Sequence, residues 1–295
     1  MFDFIGSQWI QLIAQGISTG AIYSLVALGL VLSYKATEVL NFAHGDIVMF
    51  SAFLMWYFIV GLELPFWGAL PLVLGACAVL AYLLEARLMR RIVGQPQFAG
   101  VMLTIGIGFM LRGGTSMAFG PDSRSYPTPW TGQVTEIGGA RIADLNLVII
   151  GVALLVTSLL FVFLQRTSVG VAILASSQNQ LASYLCGVRV KWLNSLVWGI
   201  SGAVAALCGI LLAPISLVDL SLWFVMLKAL AALVLGGFGS VPGAILGGLL
   251  IGLVEQFSGV YMPDGVKDMV PYLVLIGVLV IFPRGLLGEA HGRRV

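Results

Sequence analysis

The chain has 295 residues, of which 59% are hydrophobic and 9% are charged, with a net charge of +2. Because soluble domains carry about 25% charged residues, this composition excludes a soluble globular domain, and its apolar content equally excludes a disordered chain. A membrane-spanning helix needs about 20 apolar residues, so the apolar residues suffice for about eight or nine spans. The net charge is too small to indicate a nucleic-acid partner, and we predict none.

Nine apolar runs follow one another along the chain, and several are short or interrupted. Their approximate bounds are 9–33, 46–61, 65–83, 98–111, 146–165, 192–213, 222–236, 243–260 and 270–283. These runs predict an all-α polytopic membrane protein with about 8–10 transmembrane helices, some of them short or broken. The remaining residues are too few for a separate soluble domain, so we predict one transmembrane domain over residues 1–295.

The basic residues between the runs predict an orientation with the N-terminus outside and the C-terminus in the cytoplasm. Ten of them then lie on the cytoplasmic side: Lys35, Arg87, Arg90, Arg91, Arg166, Arg189, Lys191, Arg284, Arg293 and Arg294. Four lie outside: Arg112, Arg124, Arg141 and Lys267. This excess of basic residues on one side follows the positive-inside rule.

The longest of the outside loops extends from about residue 112 to residue 145. Three prolines between residues 121 and 129 exclude a continuous helix there. Gly138-Gly139 within residues 134–142 favours a small hairpin. The loop is either an ordered surface loop or a docking surface for an extracytoplasmic partner.

Motifs for catalysis are absent from the sequence. The phosphate-binding pattern G-x-x-x-x-G-K-[ST] does not occur, and the glycine-rich stretch 236–240 lacks its lysine, so the chain cannot bind ATP in that way. The G-x-S-x-G and H-E-x-x-H motifs are also absent, and the three cysteines form no metal-binding pattern. We therefore predict a protein that is not an enzyme and that binds no metal and no cofactor itself.

Ionisable residues close to the apolar runs are the candidates for function, because charge is costly within a bilayer. Asn41, His44 and Asp46 precede or begin the second run, where they either cap a helix or shape the mouth of a pathway through a broken helix. Lys228 lies in a run and either faces a polar cavity or snorkels to the interface. Glu255 is predicted to be an interface residue near a helix end. The candidate pathway residues are Asn41, His44, Asp46 and Lys228.

Residues 167–192 form a cytoplasmic segment that is too polar to span a membrane but has helical periodicity. Its apolar residues share one broad face: Val171, Leu174, Ala175, Leu181, Ala182 and Leu185. Gly187 is a suitable helix stop. The pattern predicts a short amphipathic helix that either docks on a partner protein or lies along the membrane interface.

A glycine-rich passage occupies residues 236–248. Pro242 suits the first turn of a helix. Gly243, Gly247 and Gly248 place small residues on one face of that helix, which is typical of close packing between spans. The passage therefore predicts a tight turn followed by a closely packed helix.

Three passages together carry a family resemblance. The first joins residues 20–30 to residues 41–46, the second is the passage 236–248, and the third is the tail 282–288. In order and spacing they resemble the signatures of the LivH-type permeases of branched-chain amino-acid ABC transporters. The likeness covers nearly the whole chain.

The resemblance implies a permease subunit of an ATP-driven importer in a bacterial inner membrane, with amino acids as substrates and urea or short amides as the alternative. It implies as partners a second, LivM-like permease, two cytosolic ATPase subunits that bind ATP and Mg, and a periplasmic solute-binding protein. An alternative of another class is an ion-coupled secondary transporter with His44, Asp46, Lys228 or Glu255 as its relay.

The segment 167–192 corresponds to the coupling segment of that family, and the resemblance therefore assigns ATPase contacts to it. The residues concerned are Gly170, Leu174, Ala175, Ala182, Leu185 and Gly187. The implied mechanism is alternating access, in which ATP binding and hydrolysis on the partner subunits move this segment and rock the spans.

Overall fold

The structure is a computed structural model that describes residues 2–92, 95–137, 139–263, 265–282 and 285–287, with the backbone alone at 2–7 and 137. Within these residues the helices are α1 Phe2–Thr37, α2 His44–Trp56, α3 Phe66–Arg87, α4 Gln97–Phe119, α5 Asp144–Arg166, α6 Ser168–Gln178, α7 Gln180–Leu185, α8 Val190–Ser216, α9 Val225–Gly236, α10 Val241–Tyr261 and α11 Val266–Ile281. The predicted cytoplasmic residues Arg284, Arg293 and Arg294 lie outside the described residues, as does Gly138.

All nine predicted runs correspond to helices, so the prediction of an all-α polytopic membrane protein is confirmed. Seven segments of the described chain are long and apolar enough to cross a membrane: Gln8–Thr37, His44–Gly61, Phe66–Ile92, Gln97–Phe119, Asp144–Arg166, Val190–Ser216 and Val241–Tyr261. The helices α9 and α11 are shorter, with 12 and 16 residues. They correspond to two of the interrupted runs.

The long loop begins later than predicted, because α4 continues to Phe119. Arg112 therefore lies in a helix and not in a loop, which corrects its predicted position. The hairpin within the loop is confirmed: β1 Val134–Ile137 and β2 Ala140–Ala143 pair in antiparallel fashion. Gly139 in the turn has a φ of +80°, a conformation that glycine adopts without strain.

Contacts divide the chain into two compact units. The first unit comprises Met1–Val31, Trp130–Leu154 and Leu227–Val295, and the second comprises Leu32–Pro129 and Leu155–Met226. Each unit contains closely packed helices and one of the two clusters of charged residues described below.

Small residues bring α1 and α10 of the first unit into contact. A Cβ atom on Gly252 would overlap the backbone of Gly20, and one on Gly248 would overlap Ser24. The Ser24 hydroxyl also donates a hydrogen bond to the carbonyl of Ile245 at 2.8 Å. Because burial of apolar surface between helices gains little in a bilayer, such close backbone approach is a main source of packing energy there.

The turn between α9 and α10 is equally tight. Ser240 caps α10 by accepting a hydrogen bond from the Gly243 N–H at 3.1 Å, and Pro242 occupies the first turn, as predicted. Gly243 lies against the backbone of Gly236, and Gly247 against that of Ala232. The close-packing face predicted at Gly243, Gly247 and Gly248 is therefore confirmed.

The third signature passage packs against the same turn. The backbone N–H of Leu286 donates to the carbonyl of Leu235 at 2.8 Å, and that of Leu287 donates to the carbonyl of Gly236 at 2.9 Å. These two bonds satisfy carbonyl groups at the C-terminal end of α9, which have no partner within the helix.

In the second unit, α8 packs against both α2 and α3. Gly209 of α8 lies against Val48 of α2, and Gly202 lies against Cys77 of α3. The Ser51 hydroxyl of α2 lies 3.2 Å from the carbonyl of Ala206, to which it donates. The helix α2, at whose start Asn41, His44 and Asp46 lie, is therefore anchored to α8.

We expect the substitution G252A to destabilise the protein, because the added methyl group overlaps the Gly20 backbone. Overpacking of this kind costs about 1–3 kcal/mol. Thermal unfolding of the detergent-solubilised protein measures the effect. The matched control is G151A in α5 of the same unit, where a Cβ atom meets no atom within 4 Å. Equal melting temperatures for the two variants would contradict the prediction.

Candidate functional site

The first candidate cluster lies at the start of α2, in the second unit. The Asn41 side chain forms the turn before the helix by accepting a hydrogen bond from the Ala43 N–H at 3.1 Å. Asn41, His44 and Asp46 are all buried, with at most 2% exposure. Asp46 lies in the first turn of α2, as predicted, where a carboxylate interacts favourably with the helix dipole. The sequence also predicts a side-chain cap for this helix, but the N-cap residue is Ala43, which forms no side-chain hydrogen bond to the helix.

Asp46 forms an ion pair with Arg112 of α4. Its Oδ1 atom accepts a hydrogen bond from Arg112 Nε at 3.0 Å and lies 2.9 Å from Arg112 Nη2. The side chains of Asp46 and Arg112 are 3% and 24% exposed. Gly108, one turn earlier on α4, leaves the space that Asp46 Oδ2 occupies. Because loss of one partner would leave a buried unpaired charge, this pair holds α2 and α4 together.

Two aromatic rings flank the Arg112 guanidinium group. Its Cζ atom lies 3.9 Å from the ring centroid of Trp223 and 5.3 Å from that of Phe109. Trp223 belongs to the 3₁₀ turn Leu220–Phe224, and Gly45 leaves room for its carbonyl group against α2. Cation–π contacts of this kind stabilise a desolvated arginine. We call Asp46, Arg112, Trp223 and Phe109 the Asp46–Arg112 cluster.

A loop of the same unit fixes the segment that carries Trp223. Asp219 accepts hydrogen bonds from the Ser221 N–H and from the Ser123 hydroxyl, both at 2.7 Å. Both bonds lower the pKa of the Asp219 carboxyl group, and the bond from Ser221 has the larger effect. Arg124 and Val218 also exchange backbone hydrogen bonds at 2.9 and 2.8 Å. The 3₁₀ turn is thus held in place at its start.

His44 is completely buried. Its Nδ1 atom lies 3.3 Å from the Ser201 hydroxyl of α8, whereas Nε2 has no hydrogen-bond partner in the described part of the chain. A buried unpaired polar atom costs about 1–3 kcal/mol. His44 therefore contributes packing between α2 and α8 at some electrostatic cost, and its place in a pathway stays a prediction.

The second candidate cluster surrounds Lys228 in the first unit. Lys228 Nζ lies 2.8 Å from Glu255 Oε1 and 2.7 Å from Asp268 Oδ1, and the Tyr23 hydroxyl donates to Glu255 Oε2 at 2.7 Å. The Glu255 side chain is 6% exposed, and hydrogen bonds from two other elements satisfy its carboxylate, while its predicted place at the membrane interface stays a prediction. The Lys228 side chain is 16% exposed and ends between the buried carboxylate of Glu255 and that of Asp268, which is 73% exposed, so whether it faces a cavity or snorkels stays a prediction.

The sequence predictions identify Asp46 but miss its partner Arg112, and they name both Lys228 and Glu255 without pairing them. Arg112 is assigned to a loop because the apolar run ends at residue 111, although Gly108 and Arg112 are one helical turn apart. That spacing, which puts a glycine next to the arginine on one face, is the signal that points to close packing there. Trp223 and Tyr23 have no comparable signal, because apolar runs contain many aromatic residues.

The segment 167–192 forms two helices, which corrects the prediction of one. The helix α6 ends at Gln178, and Asn179 starts α7 by accepting a hydrogen bond from the Ala182 N–H at 2.9 Å. Asparagine favours this role because its side chain competes for backbone hydrogen bonds. The break places the apolar residues of α6 and α7 on two short helices instead of one continuous face.

Gly187 ends α7 as predicted, through a left-handed turn with a φ of +86°. The Val188 N–H donates to the Ser183 carbonyl and the Gly187 N–H to the Tyr184 carbonyl, each at 3.0 Å, which is a Schellman motif. Gly170 is buried against the backbone of Phe163 at the end of α5.

The other predicted contact residues of this segment differ in burial. Leu174 is half-buried, whereas Ala175, Ala182 and Leu185 are exposed. The largest apolar side chains on α7 are also exposed, with 70% for Leu181, 67% for Tyr184 and 77% for Leu185. An apolar surface of this extent is typical of contact with a partner protein or with the membrane interface, the two predicted alternatives.

The seven long apolar segments are those of a multi-pass membrane protein, and comparison with known families gives its class. A family model described as the permease component of the branched-chain amino acid transport system matches residues 12–279. The chain therefore belongs to this permease family, and the resemblance identified from the signature passages is confirmed.

Curated relatives match along the full chain. This chain is 28% identical to the high-affinity branched-chain amino acid transport system permease protein BraD of Pseudomonas aeruginosa, and the match covers 97% of this chain and 98% of that protein. It is 27% identical to the corresponding protein LivH of Escherichia coli K12, with the same coverage. A shorter match, 30% identical over 59% of this chain and 48% of the relative, is to the autoinducer 2 import system permease protein LsrC of Yersinia enterocolitica.

A solved structure has a similar fold. PsaBC from Streptococcus pneumoniae in complex with Fab matches with a TM-score of 0.50 and 14% sequence identity, over 95% of this chain and 93% of that one. This likeness concerns the arrangement of helices alone.

The substitution K228A is expected to lower the free energy of unfolding by about 3–5 kcal/mol, because it leaves Glu255 buried without its cation. The double variant K228M/E255Q removes both charges and is expected to recover most of this loss. Denaturant unfolding in detergent measures both effects. The control is R141A, which breaks the hairpin ion pair with Glu136, whose side chains are 76% and 65% exposed, and should cost less than about 1 kcal/mol. If K228A lowers the free energy of unfolding as little as R141A does, the buried Lys228–Glu255 ion pair does not stabilise the protein as we predict.

Proposed function

We propose that this chain is the permease subunit of an ATP-driven importer for branched-chain or other small amino acids. The observation that supports this most is that a permease family spans residues 12–279 of a chain whose sequence contains no ATP-binding loop. The energy for transport must then come from other subunits. The names of the full-length relatives favour amino acids over urea or short amides, and membership of this family does not favour an ion-coupled carrier.

The complete importer in this proposal has four further subunits. They are a second, LivM-like permease, two cytosolic ATPase subunits that hold ATP and Mg, and a periplasmic solute-binding protein. The permease chain itself forms one transmembrane domain in the lipid bilayer of the bacterial inner membrane and binds no cofactor and no nucleic acid. The excess of basic residues supports an outside N-terminus and a cytoplasmic C-terminus.

The contacts of the segment 167–192 suggest how it passes on the movement of the ATPases. Gln180 of α7 donates a hydrogen bond to the Ala36 carbonyl at the end of α1, at 3.0 Å. Arg90, in the 3₁₀ turn Met89–Ile92 after α3, donates to the Lys191 carbonyl, also at 3.0 Å. A displacement of the segment therefore pulls on the ends of two helices, which is the kind of rigid-body coupling that alternating access requires.

Reconstitution tests the proposal directly. We expect proteoliposomes that contain this chain, its partner permease and both ATPases, supplied with the solute-binding protein and internal ATP, to accumulate L-leucine. Liposomes with this chain alone should not, because the chain has no energy source of its own. Replacement of ATP by a non-hydrolysable analogue serves as the control. Leucine accumulation by the isolated chain that an ionophore abolishes would overturn the proposal in favour of a secondary transporter.

The variant A182D/L185D is expected to reduce co-purification of the ATPase subunits by about tenfold or more, because two carboxylates enter an apolar contact surface. The ATPase-to-permease ratio after affinity purification measures the effect. The control V134D also places a carboxylate on an exposed apolar residue, 54% exposed, but in the hairpin, and should leave the ratio unchanged. An unchanged ratio in A182D/L185D would show that α7 does not contact the ATPase.

A further inference from the structure

We propose that Arg112 binds the carboxylate group of the transported amino acid and that Asp46 is the residue that positions it. This inference rests on the proposed function and adds the substrate contact that gives the permease its own selectivity. The site is the Asp46–Arg112 cluster, in which a guanidinium group is paired on one edge and flanked by aromatic rings.

The hydrogen bonding of Arg112 leaves part of its guanidinium group available. Nε and Nη2 both point to the same atom, Oδ1 of Asp46, at 3.0 and 2.9 Å. A guanidinium group carries five N–H donors in a planar fork, and no other acceptor in the described part of the chain bonds to this one. The edge that contains Nη1 is therefore free for a second carboxylate, which arginine binds in a bidentate way.

In this proposal the edge that contains Nη1 faces a polar space, and the position of Arg112 supports that assignment. Arg112 lies in the candidate span Gln97–Phe119, and its side chain keeps 24% exposure. An arginine inside a membrane normally faces a water-filled cavity or a protein partner, because contact with lipid chains is costly. Asp46 neutralises the positive charge while no substrate is bound, which lets a strong carboxylate receptor exist at this depth.

The aromatic neighbours define the class of substrate. Trp223 and Phe109 place apolar surfaces within 3.9 and 5.3 Å of the guanidinium carbon. Beside a group that binds a carboxylate, such surfaces suit an aliphatic side chain. A neutral amide has one uncharged acceptor oxygen and a donor NH2 group, so it cannot form the paired charge-assisted hydrogen bonds that a carboxylate forms. The cluster therefore favours small aliphatic amino acids over their amides.

Breaking the Asp46–Arg112 pair would destabilise the protein even if the pair bound no substrate. The test therefore needs a readout other than stability. We choose saturation-transfer NMR on the permease–ATPase complex in nanodiscs, without the solute-binding protein, so that any selectivity belongs to the permease. The probes are L-leucine and L-leucinamide, which differ in the carboxylate alone.

Two variants and one control separate the possibilities. R112K keeps the positive charge but loses the planar fork, and the double variant D46N/R112Q replaces the ion pair by two amides that can still hydrogen-bond. The control R141K makes the same change in the exposed hairpin pair with Glu136. Co-purification of the ATPases and the melting temperature report whether each complex assembles.

We expect the wild type and R141K to bind leucine in preference to leucinamide. In R112K and in D46N/R112Q, leucine affinity should fall by about tenfold or more, as expected for a hydrogen bond between charged groups, and the preference over leucinamide should disappear. Unchanged leucine affinity in an assembled R112K complex would overturn the inference, and so would leucine import by a wild-type complex that shows no carboxylate-dependent binding. Both results leave the proposed function intact, whereas a wild-type complex that imports no amino acid refutes the proposed function itself.

Discussion

Charged side chains inside a bilayer need partners within the protein, because the hydrocarbon offers neither water nor counter-ions. At Asp46 and Lys228 the requirement is met by contacts between residues far apart in the sequence. Asp46 pairs with Arg112, and Lys228 pairs with Glu255 and Asp268. Each set fixes the relative positions of helices that packing alone would hold weakly, since apolar surface is not expelled from a lipid environment.

Glycine residues leave the space that the Asp46–Arg112 pair needs. Gly108 leaves the space for the Asp46 carboxylate, and Gly45 leaves the space for the carbonyl group of Trp223. An ion pair is short-ranged and geometrically demanding, so it forms only if the backbones approach closely enough for the side chains to meet. The glycines next to the charged residues are therefore part of the Asp46–Arg112 cluster, even though they carry no chemistry.

The sequence predicts features that depend on local patterns and fails where the outcome depends on tertiary contacts. Hydropathy predicts the nine helical runs, and the local rules for proline and glycine predict the start of α10 at Pro242 and the end of α7 at Gly187. The hydrogen bonds that Glu255 accepts are missed, because hydropathy alone cannot reveal that Tyr23 and Lys228 approach it from other helices. The break at Asn179 is missed for a different reason: the apolar periodicity continues across it, while the hydrogen bond that starts α7 depends on one side chain.

The two short helices of segment 167–192 suit a contact that must transmit movement better than a single rigid helix would. The helix α6 is anchored, with Gly170 against the end of α5 and Ile173 buried. The helix α7 instead exposes Leu181 and Leu185, and its first residue, Gln180, holds the end of α1. Because Asn179 has an extended backbone conformation between them, α6 and α7 are separate helices, and the proposed movement of α7 would not require α6 to bend. A partner bound to the apolar surface of α7 would thus act on α1 through one hydrogen bond, without unfolding the rest of the segment.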